Sequence, residues 1–298
     1  MNIASLITGL PRPLRRHKVV QLCLAVAPNS KIQQIHYNNG STAMVDLSEP
    51  AARQCMLSGY FEPEFFDIVS PFLQKGGAFF DVGANLGLCS YGLMRKGEAP
   101  GVAFHLFEAN RSLCNVLKQG VKLHPDRDIT VNHNAVGESD GVIRFAIDPN
   151  DAAQSFVTSE GGEEVPMVAL DNYVEKNAIP RVAFMKMDIE GWEPFALRGL
   201  ERSFKAGKVE ALYMEVAPRH LTRTGFATDQ VFEQLRSYGM ELFYCKPDDF
   251  KDGVVPASEV FELNVWGKKI KLAHLRNFPP NLQTDVLALH PQASFYQK

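Results

Sequence analysis

The order of apolar runs predicts an α/β domain, with a mostly parallel sheet covered by helices on both faces. Three observations carry that expectation. Strand-like runs alternate with helix-like segments from residue 78 onward. Most of these runs are apolar throughout, the pattern of strands buried on both faces. Several also close on an acid (Asp81, Glu108, Asp188 and Glu215), at the strand ends where open α/β sheets gather their ligands.

The elements follow in order. Arg15-Arg16-His17-Lys18 precedes a nine-residue apolar run, Val19 to Ala27, with Gln21 inside it. The run is too short to span a bilayer and reads as a first helix packed on the body. A secretory leader and a peripheral membrane contact are the weaker readings. Ile32 to Leu47 reads as a hairpin about Asn38-Asn39-Gly40, and residues 49–75 read as helical. Residues 1–75 are therefore taken as an N-terminal cap of helix plus hairpin, and 76–298 as the main domain. In that domain strands are expected at 78–83, 102–108, 129–134, 182–188, 209–216, 240–245 and 260–266. Helices are expected near 86–96, 110–123, 169–177, 192–205 and 228–238. Short strands at 142–147 and 165–168 break the rhythm around a long polar loop, 148–164, of the length that is functional or disordered in compact domains. Ser155 and Phe156 in this loop either touch a sugar ring of a ligand or sit at a solvated tip. The tail from Lys268 carries no motif; it either braces the sheet or pairs subunits.

Phe79-Phe80-Asp81-Val82-Gly83-Ala84-Asn85-Leu86-Gly87 is the most informative segment. It predicts a buried strand, a tight turn and a helix N-terminus, bringing bare backbone N–H groups to a ligand. Glu108 closes the next strand one strand–helix–strand unit later, the usual place for an acid that binds a ribose diol. The turn lacks the G-x-G-x-x-G of dinucleotide sites: Asn85 stands where the second glycine would let a pyrophosphate approach. Asp81 would also repel phosphate. A phosphate-free nucleoside with cationic groups, S-adenosylmethionine, fits this charge pattern better than NAD. An NAD-linked oxidoreductase and a non-catalytic cofactor-binding module stay open as rivals. Asp81 could also serve only as a helix cap.

Val182 to Glu193 is the second unusual segment. Lys186, Asp188 and Glu190 alternate, so that an extended chain would put them on one face. Together with Asp81, Glu108 and Glu215 they are expected to converge on one crevice. Lys186 either serves that crevice or forms a structural ion pair with Glu215 or Asp188. No metal is assigned. Asp188, Glu190 and Glu215 offer the oxygens that hard cations take, but in no recognisable loop spacing.

The bulk numbers bound the rest. The 298 residues are 45% hydrophobic, enough for a sizeable core, and the net charge of −3 with pI about 6.3 gives no basic character suited to nucleic acid. Five scattered cysteines without C-x-x-C indicate neither zinc nor a disulfide framework. They fit a reducing, cytoplasmic setting.

These segments together resemble the FkbM family of S-adenosylmethionine-dependent methyltransferases. The resemblance is carried by Phe80 to Gly87, Phe107-Glu108-Ala109-Asn110 with Leu113 and Leu117, and Asn132 to Gly137 with Gly141. It continues through Leu170-Asp171 and Lys186 to Glu193 with Leu197, Gly199 and Glu215. It covers roughly residues 78–217. Ala109 stands where the family often has proline, which changes a turn residue and leaves Glu108 in place. The resemblance implies a class I, Rossmann-like methyltransferase fold: a seven-stranded, mostly parallel sheet flanked by helices, with the last strand antiparallel. It implies S-adenosyl-L-methionine as cofactor and O-methylation of a sugar, glycan or natural-product hydroxyl, with the small-molecule or glycan acceptor as partner and a homo-oligomer left open. By carry-over Asp81, Gly83, Asn85 and Gly87 line the methionine and ribose region, Glu108 binds the ribose hydroxyls and Asn134 lies near the adenine. Asp188 faces the methionine end and the acceptor, and the polar loop 148–164 and the N-terminal cap are expected to cover the acceptor site. Among candidate general bases Asp188 stands first, beside Glu190, His220 and His133.

Overall fold

The computed structural model describes residues 2–11, 17–95, 98–148, 155–158, 161–251 and 254–296. Arg15 and Arg16 of the basic cluster, and 149–154 and 159–160 of the polar loop, lie outside the described residues.

The chain opens with α1 (Ile3–Gly9) and α2 (His17–Val26), followed by the hairpin β1 (Ile32–Tyr37) and β2 (Ser41–Asp46). The turn Asn38-Asn39-Gly40 has positive φ throughout, as a tight hairpin requires. Two short helices, α3 (Pro50–Ser58) and α4 (Pro63–Val69), each start on a proline and lead into the sheet. Of α2 only Val20 is buried; Leu22 and Val26 face outward.

The sheet begins with β3 (Gly77–Val82), α5 (Leu88–Leu93), β4 (Val102–Glu108), α6 (Arg111–Val121) and β5 (Asp128–His133). A small four-stranded sheet follows: β6 (Ala135–Val136), β7 (Gly141–Ala146), β8 (Phe156–Val157) and β9 (Glu163–Val168), in the order β6-β9-β7-β8. The main sheet resumes through α7 (Leu170–Lys176), β10 (Val182–Met187), α8 (Glu193–Arg198), α9 (Glu201–Lys205) and β11 (Ala211–Val216). The chain ends with α10 (Pro218–Arg223), α11 (Thr228–Ser237), β12 (Glu241–Tyr244), α12 (Pro247–Lys251), β13 (Phe261–Val265), β14 (Lys268–His274) and β15 (Thr284–Leu289).

The main sheet runs β13-β14-β12-β15-β11-β10-β3-β4-β5. Strands β5, β4, β3, β10 and β11 are parallel, and β15 lies antiparallel between β11 and β12. These seven, with the last in sequence reversed, form the sheet that a class I methyltransferase has. Two points differ from expectation. The strand at Phe261–Val265 is not the seventh of that sheet but its outermost edge, held through β14. The seventh is β15, in the tail that carried no motif, so the tail braces the sheet. The helix expected over 192–205 is also two helices, broken at Gly199-Leu200.

Side-chain alternation gives the sheet two cores. Phe79, Phe104 and Phe184 pack with α5, α6 and the N-terminal elements. Phe80, Val82, Met185, Met187 and Met214 pack with α7, α8, α9 and α11. By the same alternation Asp81 and Lys186 point toward the first core, and the β3–β10 register sets them side by side. No helix among the described residues is long and apolar enough to cross a membrane.

Candidate functional site

The turn after β3 is shaped by close approach. Gly83 has φ +80°, and a Cβ there would lie 1.9 Å from the Asp188 carbonyl oxygen, so the chain after β10 passes directly over a bare backbone. Gly83 and Ala84 both donate N–H bonds to the Phe107 carbonyl, at 3.0 and 2.9 Å, tying the turn to the end of β4. Asn85 follows with φ +49°, and its backbone N–H donates to Glu108 Oε2 at 2.8 Å. Asn110 donates its N–H to Glu108 Oε1 at 2.7 Å. One carboxyl thus holds both the glycine turn and the start of α6. Burial pushes Glu108 up to about 7, against the pull of these two backbone donors.

A cavity opens over these strand ends. Glu108, Asn85, Gly83, Asn134, Asp188 and Glu190 all line it, with apolar walls from Phe107, Leu113 and Val136. Asn85 Oδ1 is buried there without a hydrogen-bond partner. Further along, the lining includes Phe61, Glu62, Phe145, Ser155 and Trp192. Trp192 stacks on Phe195 at 4.0 Å and leaves its buried Nε1 without a partner. Glu62 takes a left-handed φ of +37° before Pro63, and burial raises its carboxyl above the usual range.

Other sequence candidates stand elsewhere. Asp81 does not line the cavity; it is fully buried, accepting Ser90 Oγ at 2.5 Å with Lys186 Nζ at 3.8 Å. Its cationic company is therefore a lysine of the protein itself. Gly87 is also off the lining, and its missing side chain makes room for Leu117 and Tyr91. Lys186 does line the cavity, and of the two ion pairs open to it the one with Asp188 forms, Nζ donating to Oδ2 at 3.3 Å. Burial pulls the Lys186 pKa down, but Asp188 and Asp81 outweigh it and hold it well above the ordinary value.

The single extended face expected for Lys186, Asp188 and Glu190 breaks where β10 ends at Met187. Glu190 has φ +58° and turns to His220, its Oε2 2.8 Å from Nδ1 without the alignment of a hydrogen bond. Gly191, with φ +97°, lets this bend pass the His220 backbone. Glu193, almost wholly buried, steadies the bend by accepting N–H bonds from Ile189 and Gly191 on one oxygen, at 3.0 and 3.3 Å. Burial pushes Glu190 and Glu193 up to about 7 and His220 down to about 4. Glu215 is off the lining and accepts from Gln283 at 2.8 Å. His133 Nε2 sits 3.0 Å from the Ala109 carbonyl and does not line the cavity. Of the polar loop, Ser155 is buried in the lining, whereas the exposed Phe156 ring lies under the Arg223 guanidinium at 5.0 Å.

Phe61, Glu62, Phe145 and Trp192 are lining residues that sequence reasoning did not single out. Both Phe61 and Glu62 belong to the N-terminal cap expected to cover the acceptor site, but no local signal beyond Pro63 marks which of its residues reach the cavity.

Comparison with known proteins bears on this site. The methyltransferase FkbM domain model matches residues 81–242. No curated protein matches. Among solved structures, methyltransferase FkbM from Methylobacillus flagellatus KT is 20% identical with a TM-score of 0.42, covering 80% of this chain and 53% of that one. This chain therefore spans about half of that protein. The precorrin-6y C5,15-methyltransferase of Geobacter metallireducens GS-15 is 13% identical (TM-score 0.36), covering 75% of this chain and 87% of that one. An rRNA methylase of Streptococcus thermophilus is 10% identical (TM-score 0.38), covering 76% and 95%.

Proposed function

The chain belongs to the methyltransferase FkbM family, and from that premise we propose that it is an S-adenosylmethionine-dependent O-methyltransferase acting on a hydroxyl of a sugar, glycan or natural product. The observation that carries the reading is one cavity lined by Asn85 of the glycine turn, Glu108 at the tip of β4 and Asp188 just beyond β10. Family membership leaves the NAD-linked reading without support.

The residues present fit the cofactor. Glu108 uses one lone pair of each oxygen on a backbone N–H and keeps others for a ribose diol. Asn85 Oδ1, orphaned and buried, offers an acceptor to an ammonium or hydroxyl. Phe107, Leu113 and Val136 give apolar surface for a base. When bound, the cofactor supplies a methyl group already activated by a sulfonium, with a neutral thioether as leaving group. The protein's tasks are therefore to orient the acceptor, exclude water and accept a proton.

Asp188 is the residue assigned to that proton. Lys186 anchors its Oδ2, and its side chain is 39% exposed toward the cavity. Phe61, Phe145 and Trp192 offer faces for a sugar ring, and Glu62 and Glu190 offer acceptors for its hydroxyls. These features support a polyhydroxylated acceptor.

The test is Asp188→Asn, with calorimetric titration of S-adenosylmethionine beside turnover in a glycan acceptor screen. General-base loss should lower kcat by about 10²- to 10⁴-fold with little change in cofactor affinity. Unchanged turnover removes Asp188 from the role. Cofactor binding by the wild type without methylation of any acceptor would favour a binding module.

A further inference from the structure

Where Glu190 lines the cavity, three donor groups converge that proton transfer to Asp188 does not use, Glu215 and His220 lying off the lining itself. Glu190, Glu215 and His220 each present one ligand atom, and these atoms lie within 4.8 Å of one another. They come from three places: the bend after β10, the end of β11 and the middle of α10.

His220 is the independent observation. The residue is 5% exposed, and Nδ1 is buried with no hydrogen-bond partner while facing Glu190 Oε2 at 2.8 Å. That oxygen is itself buried and without a hydrogen-bond partner. Two adjacent ligands about 2.1 Å from one six-coordinate ion stand about 3 Å apart, close to the separation found here. Lys186 is occupied by Asp81 and Asp188, and Lys246 by Asp285 at 2.5 Å. Arg223 approaches Glu190 at 3.6 Å, but among the described residues no cation lies within 4.0 Å of Glu215.

We propose that Glu190, Glu215 and His220 bind a six-coordinate first-row divalent cation at the acceptor end of the cavity. Two carboxylate oxygens and one imidazole nitrogen are a hard-to-borderline donor set, suited to ions between Mg²⁺ and Zn²⁺ in softness. The remaining coordination positions take the acceptor hydroxyl and acidify it, so that its proton passes more readily to Asp188. That role rests on the methyltransferase reading; the cation binding does not.

One contact opposes the ion as the side chains stand. Arg219 Nε donates to His220 Nε2 at 2.9 Å, which leaves the ring proton on Nδ1. Ligation through Nδ1 needs the proton on Nε2, so Arg219 must turn away when the ion enters. Its removal should therefore help binding.

The experiment titrates MnCl₂ into the full chain, without cofactor or acceptor, and follows the electron paramagnetic resonance signal of free Mn²⁺. One equivalent should bind to the wild type. Glu215→Gln and His220→Gln should each weaken binding by more than about 100-fold, Glu215→Asp should restore part of it, and Arg219→Ala should tighten it. Thermal melts within a few degrees of wild type confirm that each variant is folded. No stoichiometric Mn²⁺ binding, binding unaffected by Glu215→Gln or His220→Gln, or binding weakened by Arg219→Ala overturns the site. None of these results bears on cofactor titration or on the Asp188→Asn test, so failure here is distinct from failure of the methyltransferase reading.

Discussion

Cofactor affinity should weaken in acid through Glu108. This carboxyl is buried at the tip of β4 and sits at about 7 in the free protein because burial outweighs its two backbone donors. A ribose diol donates to the carboxylate form, so binding selects the ionised state and lowers the pKa of Glu108. The sign follows: near pH 8 the group is already ionised, whereas near pH 6 most molecules must first release a proton. The fraction ionised falls about tenfold over that interval, an affinity loss of about 1.4 kcal/mol. Calorimetric titration with S-adenosylmethionine at pH 6, 7 and 8 measures it, and repetition in buffers of different ionisation enthalpy counts the released proton. Glu108→Gln supplies the background of every other titrating group, the donor's own ammonium included. In that variant the amide's NH₂ meets one of the two backbone donors, at a stability cost of about 1–3 kcal/mol, visible in a melt. Its affinity should be lower at pH 8 and nearly level below. A wild-type affinity that is flat from pH 6 to 8, or a slope shared by wild type and Glu108→Gln, would refute the assignment of Glu108 to the ribose.

Two further outcomes can be checked by unfolding. Gly83→Ala places a Cβ 1.9 Å from the Asp188 carbonyl and forces alanine into φ +80°, so a loss of about 2–4 kcal/mol and of cofactor binding is expected; an unchanged melting temperature would show that the close approach is not there. Glu193 has a folded pKa raised by burial to about 7, so the stability it contributes is fully present below about pH 4.3 and is lost as pH rises through about 7, at up to about 1.4 kcal/mol per pH unit in between. Glu193→Gln keeps an oxygen for Ile189 and Gly191 and should remove that slope from urea melts at pH 5.5 and 7.5; equal slopes in both proteins would count against a protonated Glu193.

The strand–turn–helix from Phe79 to Gly87 and the acid closing β4 were legible in the chain because each is decided within a short window. Apolar runs, glycines needing positive φ and an acid at a strand end are local signals. The family motifs carried the seven-stranded sheet with its reversed last strand, but not which residues form that strand. Thr284–Leu289 follows Pro279-Pro280 and a lysine-rich stretch, and nothing nearby shows that it inserts between β11 and β12. Lys186 is a similar case: sequence left it between Glu215 and Asp188, and the β3–β10 register placed it between Asp188 and Asp81. Asp81 and Gly87, at the heart of the motif, lie off the cavity lining, Asp81 with Ser90 and Lys186 and Gly87 against Leu117 and Tyr91. Motif membership reports where the backbone runs, whereas lining depends on the face each side chain takes.

What the sequence determined by itself, then, was the backbone that carries the site: its strands, its glycine turn and the acids at the strand ends. Tertiary structure alone decided which of those acids share a cavity, which are neutralised by lysines, and that Glu190, Glu215 and His220 meet. The physical reason is that propensity and periodicity act over a few residues, whereas register, burial and charge pairing are settled between segments that only packing brings together.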